Sequence, residues 1–361
     1  MRCCVVIPAY EPEELLIPYV RELRAAEVGP VLVVDDGSSA GCGPIFEALS
    51  GLDEVEVLHH PANKGKGAAL KTAIQWYLAH EGSTYEGCGG IVTADCDGQH
   101  TVEDVCAVAK AMEAFPERLV LGCRDFGGDT PKRSAAGNNA TSWAMRALYN
   151  VDLKDTQTGL RGLSNGMLPG AGKIRGSRYE YELNMLLWAK QQGITFQVIP
   201  IQTIYIDNNS GSHYRTVRDS VRIALQLLRG LAQYGLSSLL SAFVDVAAYA
   251  VLVKLVLARL PLTTRMFWAT IAARVISSVI NYACNRKLPY MRNKKVSTTM
   301  VRYYILWFFQ LAASFLASWF LCTQLHISEL VAKYLVDILL AVVSYQIQLR
   351  WVFQSKDSEG T

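Results

Sequence analysis

Several oxygen-bearing side chains follow the apolar segment that begins at Ile91. Asp95 and Asp97 are separated by one residue, and Gln99 follows Asp97 after one glycine in the sequence Asp-Cys-Asp-Gly-Gln-His. The apolar run predicts a buried strand whose carboxyl end carries the acids into a turn. Mg²⁺ and Mn²⁺ accept carboxylate and amide oxygens, so the stretch fits a divalent cation that holds a diphosphate. A plain surface turn is the alternative, because Asp and Gly are common in turns.

The surrounding elements alternate between strands and helices. Apolar runs predict strands at 3–7, 31–34, 55–58, 91–94 and 119–122, and periodic segments predict helices at 13–26, 68–79 and 103–114. This alternation indicates an α/β domain with a mostly parallel sheet and helices on both faces. Ligands of such sheets bind outside the carboxyl ends of the strands. A second predicted strand ends there in Asp35 and Asp36.

Composition divides the 361 residues into a soluble part, 1–212, and a strongly apolar part, 233–353. The formal net charge of +3 is too small to suggest a nucleic-acid partner. The nine cysteines show no Cys-x-x-Cys spacing, so we expect free thiols in a reducing compartment. Because a strand pattern begins almost directly after Met1, we expect no signal peptide and a cytosolic N-terminal domain.

Motifs along the first 222 residues resemble those of family 2 glycosyltransferases with the Rossmann-like GT-A fold, and most of all the dolichol- or polyprenyl-phosphate mannose synthase branch. They are Val-Val-Ile-Pro-Ala-Tyr at 5–10, Val-Val-Asp-Asp-Gly-Ser at 33–38, Asn-Lys-Gly-Lys-Gly-Ala at 63–68 and Asp-Cys-Asp-Gly-Gln-His at 95–100. Pieces at 122–124, 155–161, 179–182 and 212–215 agree with this resemblance. The chain departs from the family pattern at Glu11-Pro12, which replaces a common Asn-Glu, and at Cys96, which replaces a common alanine.

The resemblance implies a nucleotide-diphosphate sugar as donor, either a UDP- or a GDP-sugar. Asp95, Asp97 and Gln99 would hold Mg²⁺ or Mn²⁺ together with the donor phosphates. Either Asp35 or Asp36 would bind the base or the ribose. The residues assigned to donor binding by this resemblance are Pro8, Tyr10, Glu11, Asp35, Asp36, Lys66, Asp95 and Arg215.

The resemblance also implies a polyprenyl phosphate as acceptor. Arg124 and Arg133 match the family's acceptor-phosphate arginines, and Gln157 lies in a loop that would position the sugar and the acceptor. With Asp97, these three residues form the predicted catalytic set. A phosphate oxygen is already anionic near neutral pH, so charge cancellation by arginines matters more than a strong base. Solvated surface arginines are the alternative.

Residues 213–232 predict an amphipathic helix at the junction of the two parts. Arg215, Arg218, Arg222 and Arg229 fall on one face at about 100° per residue, and apolar residues fall on the other. Such a helix suits an anionic membrane surface. A soluble helix packed on the catalytic domain is the alternative.

Four apolar segments of membrane-spanning length follow, at 233–258, 266–284, 302–324 and 330–349. The loop between the second and third is rich in Lys and Arg, which predicts that it is cytosolic. An even number of crossings then places both termini, including the tail 354–361, in the cytosol at a plasma or inner membrane. Asp245, Arg274 and Asp337 fall inside these segments, where charges line a polar path or form a structural pair.

Residues near the end of the second segment recur 63 positions later, as Tyr282 and Asn285 recur as Tyr345 and Gln348. This repeat predicts a duplicated two-helix hairpin. The apolar part resembles the GtrA-like four-helix domain, whose members are proposed to help translocate polyprenyl-linked sugars.

The sequence thus predicts a metal-dependent, inverting hexosyltransferase that moves one sugar to a polyprenyl phosphate at the cytosolic face of a membrane, in cell-wall or polysaccharide synthesis. The expected partners are a nucleotide sugar, the lipid phosphate and the membrane, without nucleic acid, and a homo-oligomer is left open. Two alternatives are a transferase with another lipid or glycan acceptor and a membrane anchor, and a lipid-sugar transporter with an inactive transferase domain.

Overall fold

The structure is a computed structural model that describes residues 2–82, 84–124, 132–202, 216–287, 296–327 and 329–353. The chain divides into two compact units. One comprises Met1–Arg146 with Val151–Gln226, and the other comprises Ala147–Asn150 with Leu227–Thr361.

The first unit is built on one sheet. Its described strands are β1 (Arg2–Ala9), β2 (Val31–Asp35), β3 (Val55–His59), β4 (Cys88–Thr93), β5 (Leu119–Arg124), β6 (Arg161–Ser164) and β7 (Phe196–Ile201). They lie in the order β3-β2-β1-β4-β6-β5-β7. Neighbouring strands are parallel except that β6 is antiparallel to both β4 and β5. The predicted mostly parallel α/β sheet is confirmed, and β6 and β7 are strands that the local pattern did not predict.

Helices cover this sheet. The described helices up to residue 192 are α1 (Leu16–Ala25), α2 (Gly43–Ser50), α3 (Lys66–Ala79), α4 (Val102–Ala114), α5 (Lys132–Tyr149), α6 (Leu168–Ala171) and α7 (Glu180–Gln192). The helix α4 begins where the hydroxyl of Thr101 accepts the backbone N–H of Asp104 at 3.1 Å, as an N-cap residue does. Almost all of β1 and every residue of β2 are buried in the core, as their apolar runs predict.

The strand directions gather polar residues at one edge. In the parallel register Ala9 lies opposite Asp35, and Asp35 lies opposite His59. Because β6 runs the other way, it begins where β4 and β5 end, and its Arg161 pairs with Thr93. The loop that leads into β6 therefore reaches the same edge as the acids that follow β4.

The second unit is helical in its described residues. The long helices after residue 215 are α8 (Thr216–Val251), α9 (Leu262–Lys287), α10 (Val296–Gln324) and α11 (Glu329–Ile347). One stretch of the described residues, Ala224–Val256, is long and apolar enough to cross a membrane by length and composition, and a shorter apolar helix covers Ile338–Val352. The four predicted spans fall on α8 to α11 in order, but four crossings remain a prediction.

The predicted junction helix and the first predicted span belong to one helix. α8 continues without a break through residue 232, where the sequence predicts a boundary. The predicted limit at 232 falls inside this helix, the predicted limit at 212 lies outside the described residues, and both stay predictions.

Two tyrosine pairs repeat one packing arrangement in the second unit. Tyr234 of α8 packs against Tyr345 of α11, with ring centroids 5.0 Å apart and an angle of 62°. Tyr303 of α10 packs against Tyr282 of α9, at 5.4 Å and the same angle. Each pair joins the first helix of one predicted hairpin to the second helix of the other, so the two contacts are equivalent under the predicted duplication.

Candidate active site

The predicted metal ligands lie in the turn that follows β4. The Oδ1 atom of Asp97 accepts the backbone N–H of Gln99 at 3.1 Å. Gly98 between them has φ +73°, a left-handed conformation that glycine adopts without steric cost. The carboxylate of Asp95 contacts a cation of the protein itself, since its Oδ1 lies 2.6 Å from Nζ of Lys66.

The two acids have opposite electrostatic surroundings. Burial alone would raise the pKa of Asp95, but the charge of Lys66, its hydrogen bond and the smaller contributions of His100 and Arg124 together outweigh burial, so this pKa is lowered. Burial and the negative charge of Asp95 together raise the pKa of Asp97. A bound cation would favour the ionised form of both carboxylates.

The side chain of His100 binds the backbone of the turn. Its Nδ1 accepts the backbone N–H of Asp95 at 3.1 Å, and the side chain is buried. Burial is the main cause that lowers the pKa of His100. An imidazole that accepts a hydrogen bond at Nδ1 carries no proton there, so this contact ties the His100 ring to the backbone at Asp95.

Arg124, the last residue of β5, is held by a fully buried carboxylate. Its Nε donates to Oδ2 of Asp155 at 2.8 Å, and its Nη2 donates to Oδ1 at 3.2 Å. Asp155 also accepts the backbone N–H of Arg124 at 3.3 Å and that of Gln157 at 3.1 Å. This bidentate pair fixes the plane of the guanidinium at the edge of the sheet. Sequence reasoning placed Asp155 in a polar loop but missed this role, because no local signal links the two residues.

The loop before β6 is tied to α5 and to the acids. Nε2 of Gln157 donates to the hydroxyl of Thr141 at 3.3 Å, and Asn138 accepts the backbone N–H of Thr156 at 3.2 Å. Gly159 faces the carboxylate of Asp95 so closely that a Cβ at this position would lie 2.5 Å from Oδ2. The loop thus joins the surroundings of Asp95 to those of Arg124.

Glu11 connects the chain after β1 to the chain after β2. It has φ +49° and its carboxylate accepts both the backbone N–H of Ser39, at 2.7 Å, and the hydroxyl of Ser39, at 2.8 Å. Its own N–H donates to the hydroxyl of Ser38 at 3.0 Å. Of the other residues predicted in this region, Pro8 is buried within β1 and Tyr10 is partly exposed beside Glu11.

Two histidines at the end of β3 contact the predicted acids at the end of β2. His59 Nδ1 lies 2.9 Å from Oδ2 of Asp35, and the backbone N–H of Ser38 donates to Oδ1 at 2.8 Å. Burial opposes ionisation of Asp35, but the hydrogen bonds from His59 and Ser38 lower its pKa. The sequence carried a signal for these histidines, since they follow a predicted strand at the same edge.

The carboxylate of Asp36 is hydrogen-bonded to other groups of the protein. It is 2% exposed, and it accepts the backbone N–H groups of Lys64 at 2.9 Å and Gly65 at 2.7 Å. Nδ1 of His60 lies 2.7 Å from its Oδ1. The glycine-rich turn before α3 therefore binds the Asp36 carboxylate through its backbone N–H groups.

Two predicted arginines are not characterised by the structure. Arg133 falls in α5, but its side chain lies outside what the structure describes, and Arg215 lies outside the described residues altogether. Within the described part of the chain, no group of three or more His, Cys, Asp or Glu side chains could hold a metal. The predicted ligand set is of another composition, with two carboxylates and one amide.

Comparisons with known proteins identify both parts of the chain. The family "Glycosyl transferase family 2" matches residues 4–169, and "GtrA/DPMS, transmembrane domain" matches residues 233–353. The chain is 28% identical over 223 residues to the UDP-N-acetylglucosamine–dolichyl-phosphate N-acetylglucosaminyltransferase of Methanococcus voltae, covering 56% of this chain and 86% of the relative. It is 28% identical over 227 residues to the polyprenol monophosphomannose synthase of Mycolicibacterium smegmatis, covering 59% and 83%.

Among solved structures, the crystal structure of S. aureus TarS 1-349 is similar over 97% of this chain and 91% of that chain, with 12% identity and a TM-score of 0.39. The sequence matches carry the assignment. Residues 4–169 belong to glycosyl transferase family 2 and residues 233–353 to the GtrA/DPMS transmembrane family, which makes this membrane protein a glycosyltransferase.

Proposed function

We propose that the protein transfers one sugar, with inversion, from a UDP- or GDP-sugar to a polyprenyl phosphate. The observation that carries this proposal is that Asp95 and Arg124 follow or end strands on either side of β6 and lie at one edge of the sheet. The charge of Arg124 is close enough to contribute to the lowered pKa of Asp95. Asp95, which would serve the donor, and the fixed guanidinium of Arg124, which would bind the acceptor phosphate, thus lie close together.

The named relatives support a lipid-phosphate acceptor. One is named for dolichyl phosphate and the other for a polyprenol. They differ in the sugar, N-acetylglucosamine in one and mannose in the other. The two names thus agree on a polyprenol-type acceptor and differ in the sugar donor, which the transfer assay below identifies.

In the proposed reaction an oxygen of the acceptor phosphate attacks the anomeric carbon of the sugar. The bond from that carbon to the phosphate of the nucleotide breaks, and the nucleoside diphosphate leaves with the electron pair. Arg124, held in its plane by Asp155, would bind and orient the acceptor phosphate, with Arg133 as a second cation. Gln157, anchored to Thr141, would position the reacting groups.

The donor residues fit a divalent cation by their chemistry. Asp95, Asp97 and Gln99 offer hard oxygen atoms within one turn, the ligand type that Mg²⁺ and Mn²⁺ prefer. When bound, the cation would neutralise charge on the leaving diphosphate. Glu11 and Asp35 would shape the nucleoside side of the site, with Lys66 and Arg215 near the phosphates.

For the membrane domain we propose four crossings with both termini in the cytosol. The helices α8 to α11 each contain 19 or more residues, close to the roughly 20 needed to span. Inside the predicted spans, Nε of Arg274 lies 3.6 Å from Oδ2 of Asp245, whose Oδ1 accepts the hydroxyl of Ser277 at 3.0 Å. These contacts fit a structural pair between Asp245 and Arg274. The role that we propose for the domain, moving the lipid-linked sugar across the membrane, follows from its match to the GtrA/DPMS transmembrane family. The side chain of the third predicted charge, Asp337, lies outside the described residues.

A transfer assay tests the proposal. Membranes that contain the protein would receive labelled UDP-glucose, UDP-galactose, UDP-N-acetylglucosamine or GDP-mannose, with and without polyprenyl phosphate and EDTA. We expect a labelled lipid that is labile in mild acid, formed from one donor and abolished by EDTA. A labelled product of another kind would favour a different acceptor.

The variant Asp97→Asn tests the metal assignment in the same assay. We expect a loss of at least 100-fold in the transfer rate, because the amide cannot neutralise a divalent cation. If the purified variant keeps full activity, Asp97 does not bind the metal. No product from any donor in the wild type would favour a transporter with a silent transferase domain.

A further inference from the structure

Lys66 enters the site from a rigid backbone. It is the first residue of α3, and the preceding Gly65 has φ +102°. Asp36 binds the backbone N–H groups of Lys64 and Gly65, so the chain that carries Lys66 is fixed just before the helix begins. The position of the lysine Cα is therefore set independently of any ligand.

The ammonium group of Lys66 lies between two carboxylates. Its Nζ is 2.6 Å from Oδ1 of Asp95 and 2.9 Å from Oε1 of Glu182, in the first turns of α7. The side chain of Asp95 is 29% exposed, whereas that of Glu182 is only 7% exposed. One partner thus faces the site, and the other lies deeper in the protein.

A divalent cation at Asp95 would have to compete with this ammonium group for the same carboxylate. Two positive charges close together repel strongly where the surroundings exclude water. Without a second partner, the lysine would have two outcomes. It could remain paired with Asp95 and exclude the metal, or it could become an unpaired cation in a partly buried place, which costs free energy. Glu182 offers that second partner without any movement of the backbone.

We propose that Glu182 is a positioning residue that retains Lys66 when a divalent cation takes Asp95. In the metal-free protein the lysine bridges both acids. On metal binding it stays with Glu182, beside the metal and the donor phosphates. This inference rests on the proposed function, because it assumes that Asp95 is a metal ligand.

The test is Mn²⁺ binding to the purified full-length protein in detergent, measured by electron paramagnetic resonance without nucleotide. Lys66→Met removes the competitor, so we expect the Kd for Mn²⁺ to fall at least threefold. Glu182→Gln leaves Lys66 to Asp95 alone, so we expect the Kd to rise at least threefold. Glu180→Gln makes the same change on the same helix; the Glu180 carboxylate accepts the backbone N–H of Ser177, and we expect an unchanged Kd.

The double variant Lys66→Met/Glu182→Gln distinguishes a role of Glu182 through Lys66 from a direct electrostatic effect of the Glu182 charge on the metal. If Glu182 acts through Lys66, the double variant binds Mn²⁺ as Lys66→Met does, and the effect of Glu182→Gln disappears. If the two effects add, Glu182 acts on the metal directly and the proposal is overturned. An unchanged Kd in Glu182→Gln overturns it as well, even if Lys66→Met does not fold.

The experiments also distinguish a failure of this inference from a failure of the proposed function. A wild-type protein that binds no Mn²⁺ removes the metal assignment, and this inference with it. A wild-type protein that binds Mn²⁺ but makes no lipid-linked sugar contradicts only the proposed reaction, because the binding measurement uses neither donor nor acceptor.

Discussion

Asn285 and Gln348 are hydrogen-bonded to each other in the second unit, with Nδ2 of Asn285 3.0 Å from Oε1 of Gln348. They are separated by 63 positions, the period of the repeat in the sequence. Ser237 also donates to Oδ1 of Asn285, and Gln348 donates to the hydroxyl of Tyr234 at 3.1 Å. Equivalent positions of the two hairpins thus meet, and the contact links α9 to the residue that directly follows α11.

We expect Asn285→Leu to destabilise the protein by about 1–3 kcal/mol, because buried polar groups of Ser237 and Gln348 lose their partner. Thermal unfolding in detergent measures this change. In the double variant Asn285→Leu/Gln348→Leu, the loss should be smaller than the sum of the two single losses. Additive losses would mean that the two amides do not depend on each other.

Gly159→Ala should lower activity without unfolding the protein. The new Cβ would meet the carboxylate of Asp95, which is the end of a side chain and can move aside. We expect the displaced carboxylate to weaken Mn²⁺ binding and to reduce transfer at least tenfold. Gly166→Ala is the matched control, because a Cβ there meets nothing within 4 Å. Equal activity of the two variants would contradict the close approach of Gly159 to Asp95.

Asp155→Asn should impair use of the acceptor more than use of the donor. The amide cannot form the bidentate, charged pair, so Arg124 loses its fixed orientation. We expect the KM for polyprenyl phosphate to rise at least tenfold, with a smaller change for the nucleotide sugar. Asp152→Asn changes an exposed acid of the same loop, whose side chain is 74% exposed, and should leave both constants unchanged. An equal loss for donor and acceptor would argue against a specific role of Arg124.

Asp35 should contribute stability that is lost in acid. Its pKa is lowered in the folded protein, so its contribution is present above the ordinary value of about 3.9 and disappears as the pH falls through the lower, folded value. Asp35→Asn should therefore be less stable than the wild type at pH 7, and this difference should shrink below pH 4. Chemical unfolding at pH 7 and pH 3 measures both. Asp53→Asn, at an exposed position, is the control; a difference that does not depend on pH would contradict the expectation.

Much of the first unit could be predicted because its information is local. The apolar runs of β1, β2 and β4 are each interpretable within a few residues, and so are the acids that follow β2 and β4. Parallel strands carry their carboxyl ends to one edge, so the position of Asp95 followed from the pattern alone. The alternation of strands and helices gave the fold class in the same way.

The tertiary structure decided which of these acids form hydrogen bonds within the protein, and with which partners. Asp35 and Asp36 are adjacent residues of the same type, and the sequence does not distinguish their roles. In the structure, Asp36 is buried against the turn before Lys66, whereas Asp35 contacts His59. Partner choice depends on which strand lies beside which. Short segments carry no such information, because the order of strands is set by packing across the whole sheet.

The same reason explains β6 and the contacts made from its loop. Its four residues are too few for a clear pattern, and its direction follows from pairing with β4 and β5. That direction brings Gly159 to Asp95 and Asp155 to Arg124. The sequence by itself thus determined which residue types reach the edge of the sheet. Only the folded chain decided how they pair, because those contacts join residues that are far apart along the chain.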